Sequence, residues 1–227
     1  MGFSDAAGAA SGTGDNGSYL RMSTPPDFRL DMVAEANFPS EFGQFRIFGF
    51  EGYFASRPME ECLALVMGSM AGVAPPLVRI HSQCLTGDVL HSLRCDCRSQ
   101  LTTALRAIAA EGRGLLIYEH QEGRGIGLMN KLRAYQLQDN GRDTVEANED
   151  LGFDADLRDF AMPAGILRHF GLRRVRFLSN NPHKIAALES AGVEVAERVP
   201  IEIAAHASTA DYLKTKKEKL GHLLEKL

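Results

Sequence analysis

Three of the four cysteines in this chain fall in one short run, Arg79-Ile-His-Ser-Gln-Cys84-Leu-Thr-Gly-Asp-Val-Leu-His-Ser-Leu-Arg-Cys95-Asp-Cys97. Three thiolates are one short of the four protein ligands that close a structural zinc site. Catalytic zinc keeps three and leaves the fourth position to water or substrate. The run therefore constrains the fold to gather Cys84, Cys95 and Cys97 around a metal with an open face, and it points to hydrolytic chemistry. A fourth ligand from His81 or His91 would instead close the site and make it structural. Without a metal, the three thiols would be small buried hydrophobes. The polar Arg94, Asp96 and Arg98 do not suit a core strand, which argues against that reading. Cys95 and Cys97 are poorly spaced for a mutual disulfide and well spaced for two ligands on a turn. Four cysteines in 227 residues are too few for a disulfide scaffold. Cys62, in Cys-Leu-Ala-Leu-Val-Met, reads as a core thiol.

A chain of 227 residues makes one large domain or two small ones. It has no run of about 18 apolar residues, so no membrane-spanning helix is expected. A net charge of −4 and a pI of about 6.0 argue against a general nucleic-acid binder. Local basic groups can still meet a small phosphorylated ligand. Residues 1 to about 18 are rich in Gly, Ala, Ser and Asp, and lack the basic start and apolar middle of a signal peptide. Residues 1–28 read as a disordered or vector-derived leader before a catalytic domain at 29–227. A cytoplasmic protein with reduced thiols is the default expectation.

Short apolar segments follow the leader. Phe45–Phe50, Leu63–Met67 and Leu77–Ile80 predict strands. Residues 100–110 predict a helix with Leu101, Leu105 and Ile108 on one face. A buried strand at 114–120 leads through a Gly-rich loop to a helix at 126–139, ended by Asn140-Gly141. Further expectations are a helix at 158–170, a strand at 175–179, a helix starting at Pro182, a strand over 193–203 and a Lys-rich helix over 211–227. Strands alternate with helices in the second half. This predicts a single α/β domain, a mixed sheet with flanking helices.

Four constellations carry chemistry. Cys95 and Cys97 precede a predicted helix, whose N–H groups favour thiolate, and Arg94 and Arg98 add positive charge. Gln121-Glu-Gly-Arg-Gly-Ile-Gly127 lies between strand and helix, where backbone amides can meet a phosphate. It is neither a Walker A loop nor the dinucleotide fingerprint. At its tip, Glu122 could pair with a guanine edge and Arg124 with a phosphate. Asp154-Ala-Asp-Leu-Arg-Asp159 reads on its own as a helix cap with a solvated arginine. Ser179-Asn-Asn-Pro-His-Lys184 ends a strand and opens a helix, a favoured ligand position in α/β sheets. Thr144 reads as a loop residue, and Tyr135 as a helix residue in core packing.

Together these segments resemble the GTP cyclohydrolase II family. The residues that carry the likeness are His81-Ser-Gln-Cys-Leu-Thr-Gly-Asp88, Arg94-Cys-Asp-Cys97, Gln121–Gly127, Asp143-Thr-Val-Glu-Ala-Asn148, Asp156-Leu-Arg-Asp-Phe160 and Asn180-Asn-Pro182. They occur in the family's order from about residue 29 onward. No second catalytic domain accompanies them.

The resemblance implies that Cys84, Cys95 and Cys97 bind Zn2+, whose water attacks C8 of guanine so that C8 leaves as formate. It implies that Asp156, Arg158 and Tyr135 are catalytic. Tyr135 would stand near the opening ring. Arg158 would either attack the α-phosphate, with Asp156 accepting its proton, or stabilise the phosphoryl transition state electrostatically. Arg79, Ile80, His81, Ser82, Gln83, Gln100, Glu122, Gly123, Arg124, Thr144, Ser179 and Lys184 would bind GTP. Pyrophosphate is released, Mg2+ serves the triphosphate, and the family forms homodimers. No nucleic-acid or membrane partner is implied.

Three departures stand out. Ser179 replaces the usual Thr, His183 stands where Lys is common, and His206–Tyr212 replaces an Asn-rich stretch. They leave room for a relative that opens GTP for a specialised flavin-like or toxin pathway. A variant stopping at the formylated intermediate is a further alternative, opposed by the presence of Tyr135. A non-catalytic, zinc-stabilised nucleotide binder is the third.

Overall fold

The computed structural model describes residues 28–203 and 215–224. A seven-stranded sheet runs in the order β1-β2-β3-β5-β4-β6-β7. The strands are β1 (Arg29–Ser40), β2 (Gly43–Tyr53), β3 (Glu60–Met67), β4 (Leu77–Ser82), β5 (Gly114–Glu119), β6 (Arg174–Leu178) and β7 (Glu194–Val199). The first three form an antiparallel meander, and β3 joins β5 antiparallel. From β5 through β4 and β6 to β7 the pairs are parallel. The helices are α1 (Leu85–Asp88), α2 (Cys97–Glu111), α3 (Gly127–Asp139), α4 (Thr144–Asp150), α5 (Ala161–His169) and α6 (Pro182–Ser190).

The central parallel strands β4 and β5 are buried on both faces, as a sheet covered on both sides requires. One face carries Val78, Ile80, Leu115, Ile117 and Phe177 beneath Met162, Ile166 and Leu167 of α5 and Leu188 of α6. The other carries Leu77, Leu116 and Leu178 beneath Ala104, Leu105 and Ile108 of α2. Cys62 lies in the first layer, 1% exposed, with Sγ 3.2 Å from the Tyr118 carbonyl. Phe28 stacks on Phe54 at 4.8 Å and joins that layer.

Strand β1 is absent from the sequence expectation. A register shift between Met32 and Ala34 inserts an extra residue and breaks the alternation, and most of the strand is exposed. The predicted helix at 158–170 begins later, at Ala161, because Asp159 accepts the Ala161 N–H at 2.6 Å and ends the preceding loop. Pro163 sits in its first turn, where a missing N–H costs nothing. Thr144 is not in a loop. It is the first residue of α4, which Asp143 and Glu146 cap reciprocally. Of the predicted C-terminal helix, 215–218 is helical and 221–224 is not. The rest of that helix and His206–Tyr212 lie outside the described residues.

Candidate active site

The chain leaves β4 toward β5 and leaves β6 toward β7, in opposite directions along the sheet. Such a reversal opens a crevice at the carboxyl ends of the two strands. The last turn of β4 runs into Gln83 and Cys84, and β6 runs into Ser179, Asn180 and Asn181; all five line one cleft.

Three thiols stand at one end of this cleft. The ligand atoms of Cys84, Cys95 and Cys97 lie within 4.8 Å of one another, and Cys84 Sγ is 3.6 Å from Cys95 Sγ. Sulfurs at 2.3 Å from a tetrahedral zinc are about 3.8 Å apart, so the cluster fits such an ion. Among the described residues no histidine joins the group. Cys97 is the first residue of α2 and Asp96 its N-cap. Hydrogen bonds from Cys95 and Cys97, with the Lys131 charge, hold the Cys84 thiol far below its ordinary pKa. The same sharing pushes Cys95 and Cys97 up.

Gly87 forms the floor of the cluster. A Cβ there would sit 2.9 Å from Cys95 Sγ and 3.1 Å from Cys84 Sγ. Gly87→Ala is therefore expected to weaken metal retention about 10–100-fold without unfolding the chain. Metal content after dialysis, beside the thermal melt, checks this.

Outer hydrogen bonds fix the Cys84 loop. The Asp88 carboxylate accepts from the Cys84 N–H at 3.0 Å, Tyr118 Oη at 2.9 Å and His81 Nε2 at 3.1 Å. A carboxylate only accepts, so the His81 ring donates from Nε2 and keeps Nδ1 as its acceptor. Burial lowers the His81 pKa and keeps the ring neutral. Nδ1 is buried without a partner, in a residue that lines the cleft.

The cation at the thiols is neither of the two arginines that the sequence offered. Arg94 pairs with Asp139 at 2.6 Å and lies over the Tyr135 ring, and Arg98 reaches the Asp88 carbonyl at 3.3 Å. Lys131 of α3 takes that place. Its Nζ lies 3.1 Å from Cys84 Sγ, 2.8 Å from Thr86 Oγ1 and 2.7 Å from Glu122 Oε1. Burial alone would lower its pKa, but Glu122 and Cys84 outweigh burial and hold it above the ordinary lysine range. Thr86 Oγ1 in turn lies 3.2 Å from Tyr135 Oη. Burial raises the Tyr135 pKa, so the phenol stays protonated. Tyr135 lines the cleft beside the thiols rather than filling the core.

Glu122 does not present its carboxylate to the cleft. One oxygen accepts from Lys131 and from the Gly123 N–H, and the other from the Leu85 N–H at 2.7 Å. For the guanine-edge role expected for it, one acceptor site is left, on the oxygen that faces Leu85. Breaking one partner of such a buried pair costs about 3–5 kcal/mol. Beyond it, Arg124 adopts φ +60°, and both of its terminal nitrogens are buried without a partner in the cleft wall. A left-handed non-glycine stores about 1–3 kcal/mol and marks functional sites.

The other end of the cleft is a cluster of cations. Arg158 grips Asp156 with two parallel bonds, Nε to Oδ1 at 2.8 Å and Nη2 to Oδ2 at 2.5 Å, and its Nη1 reaches Ser82 Oγ at 3.2 Å. Asp156 is thus an ion-pair partner and not the cap of α5. Lys184 Nζ lies 3.0 Å from both the Ile80 carbonyl and Ser82 Oγ, and 3.5 Å from Glu119. Burial pushes its pKa down to about 7, against the pull of Glu119. Arg79 donates to the Leu178 carbonyl at 2.9 Å and to Gln100 at 2.7 Å, tying β4 to β6 and α2.

Seven Lys and Arg residues line the cleft and, among the described residues, no carboxylate does. In a chain of net charge −4, this concentrates positive potential in one place. Of the expected site residues, the cleft gathers Arg79, His81, Ser82, Gln83, Gln100, Gly123, Arg124, Tyr135, Thr144, Arg158, Ser179, Lys184 and the three cysteines. Ile80, Glu122 and Asp156 stand behind its wall; the Ile80 side chain belongs to the core. Sequence reasoning missed Lys131 and two residues of the C-terminal segment, Lys216 and His222, which also line the cleft. Lys216 pairs with Asp96 at 2.6 Å, between two of the thiols.

A family model described as GTP cyclohydrolase II matches residues 31–200. The GTP cyclohydrolase-2 of Histophilus somni strain 2336 is 52% identical over 196 residues, 86% of this chain and 89% of that protein. That of Hahella chejuensis is 53% identical over 192 residues, 85% of this chain and 91% of that protein. The riboflavin biosynthesis protein RibBA of Chlorobium phaeovibrioides is 52% identical over 195 residues. The chain spans 47% of the length of that longer relative.

Proposed function

Since the chain belongs to the GTP cyclohydrolase II family, we propose that it hydrolyses GTP, opening the imidazole ring and releasing formate and pyrophosphate. The product is 2,5-diamino-6-ribosylamino-4(3H)-pyrimidinone 5′-phosphate, and the reaction opens riboflavin biosynthesis. One observation carries this reading: a three-thiol cluster with room for a metal and a cluster of cations open into the same cleft. Such a cleft holds a polyanion and a hydrolytic centre at once.

Cys84, Cys95 and Cys97 would hold Zn2+, which supplies a Lewis acid and an activated water for attack at C8. Tyr135 stays protonated beside the cluster and donates to the opening ring. Arg158 and Lys184 meet the phosphates, joined by Arg124, whose terminal nitrogens have no partner among the described residues. Among the described residues no carboxylate lines the cleft, so Mg2+ would enter on the triphosphate, held by phosphate oxygens and water. Arg158 acts as an electrostatic stabiliser of the α-phosphoryl transition state. A nucleophilic role would require its deprotonation, and its two bonds to Asp156 favour the charged form. The catalytic unit is residues 29–227, acting as a homodimer in the cytoplasm. No helix among the described residues is long and apolar enough to cross a membrane.

Incubating the zinc-loaded protein with GTP and Mg2+ tests the reaction. Formate, pyrophosphate and the deformylated pyrimidine are expected in equal amounts. Pyrophosphate without formate would replace this reading with the truncated variant. Neither product would leave a nucleotide-binding protein.

Lys184 adds a pH signature. The groups acting on it are Glu119, Arg158, Arg79 and Asp156. With a folded pKa of about 7, it is mostly neutral at pH 8 in the free protein. A bound phosphate favours its charged form, so GTP binding at pH 8 should take up about one proton. Calorimetry in buffers of different ionisation heat measures the uptake, and Lys184→Gln should abolish it. The sign for folding follows from the lowered pKa. Stability is reduced at and below pH 7 and recovers as the pH rises through the folded pKa toward the unfolded one.

A further inference from the structure

Lys131 is a buried cation to which the chemistry above gives no part. It comes from α3, and its ammonium has three N–H donors. Three acceptors meet it: Cys84 Sγ, Thr86 Oγ1 and Glu122 Oε1, at 3.1, 2.8 and 2.7 Å. No donor is left for a phosphate, which sets Lys131 apart from the other cations of the cleft.

We propose that Lys131 is a positioning residue of the metal centre: it donates an N–H···S bond to the Cys84 thiolate and, through Thr86, sets the direction of the Tyr135 hydroxyl. This rests on reading the three thiols as a metal site. Thiolates give up much charge to a metal and so weaken it as a Lewis acid. A hydrogen bond to one sulfur from a cation draws some of that charge back, and outer-shell partners tune metal sites in this way. The structure supplies such a bond to one thiolate and places the ammonium against Glu122, which keeps it buried and in place.

The second effect follows from proton counting. Thr86 Oγ1 accepts from Lys131, so its own proton points to Tyr135 Oη at 3.2 Å or to Cys84 Sγ at 3.7 Å. The bond to the phenol is the better of the two. With its oxygen accepting from Thr86, Tyr135 directs its own proton into the cleft. Without Lys131, Thr86 is free to accept from Tyr135, and the phenol proton turns away from the reacting ring.

The test uses cobalt(II) in place of the native metal, because thiolate-to-cobalt charge-transfer absorption reports on sulfur directly. Lys131→Met alone strands the buried Glu122 carboxylate, so Lys131→Met is paired with Glu122→Gln, and Glu122→Gln alone is the control. The double variant is expected to shift the band to longer wavelength, while the control keeps it. In the zinc-loaded forms, kcat for formate release should fall about 10–100-fold, with KM for GTP unchanged. Thr86→Val removes the link to Tyr135 and one acceptor of Lys131 but leaves the Lys131–Cys84 bond, so it should lower kcat with the band in place. A band that stays put in the folded double variant overturns the proposal, as does a raised KM with kcat held, which would make Lys131 a substrate ligand. Unchanged kcat in Thr86→Val removes the relay to Tyr135. If wild-type protein binds cobalt with no thiolate band at all, the metal-site reading itself fails and takes the proposal with it.

Discussion

Cys84→Ser is expected to stop formate release while the metal-free protein still folds and binds GTP. Cys84 holds one corner of the thiol cluster and is 6% exposed. Serine keeps an oxygen where Lys131 and Thr86 already have hydrogen-bonding contacts, so no buried ammonium loses its partner. The fold is therefore spared the penalty of an uncompensated charge. A neutral hydroxyl, in contrast, is a poor ligand for zinc, which needs the deprotonated thiolate. The loss of turnover should exceed the 10–100-fold or so that removal of an outer-shell partner costs. Melting curves of the metal-free forms separate the two effects, because a bound metal adds stability by mass action. A variant that unfolds without losing turnover per folded molecule would make the cluster structural.

The second large effect is at Arg158. Arg158→Ala removes the planar cation that Asp156 aims along Ser82 and leaves that carboxylate partly buried without its fork. Losing one preorganised charge at a developing oxyanion costs about 10²–10³ in kcat. Pyrophosphate release from GTP should fall by that factor. Arg158→Lys restores the charge but not the two parallel bonds, so it should recover only part of the rate. Full recovery by lysine would show that geometry at this position does not matter.

The cysteine run was readable because its ligands lie close in sequence, with Cys95 and Cys97 directly flanking the Asp96 cap. The parallel strands were readable for a similar reason. Segments such as Leu77–Ile80 and Gly114–Glu119 are mostly apolar and buried on both faces, and Gly or Pro marks where they begin. Contacts made by long-range packing were not readable. Lys131 lies far along the chain from Cys84 and meets it only through the tertiary fold, which brings α3 to the residues after β4. On a helix of mixed pattern, nothing in the sequence sets it apart from a solvated lysine. Glu122 was legible as a loop carboxylate, but not the direction in which Gly123 and Arg124, both left-handed, would turn it. The start of α4 was the avoidable miss, since Asp143 followed by Glu146 is a capping box in the sequence itself. Strand β1 was hidden by its bulge, which shifts the alternation by one residue at Val33.

The most direct test follows the carbon that leaves. GTP labelled with 13C at C8 is turned over by the zinc-loaded protein with Mg2+, and the label is tracked by NMR. The label is expected to appear as formate in step with pyrophosphate, and a chelator is expected to stop both. Label that stays in the nucleotide while GTP is consumed would contradict the proposed reaction.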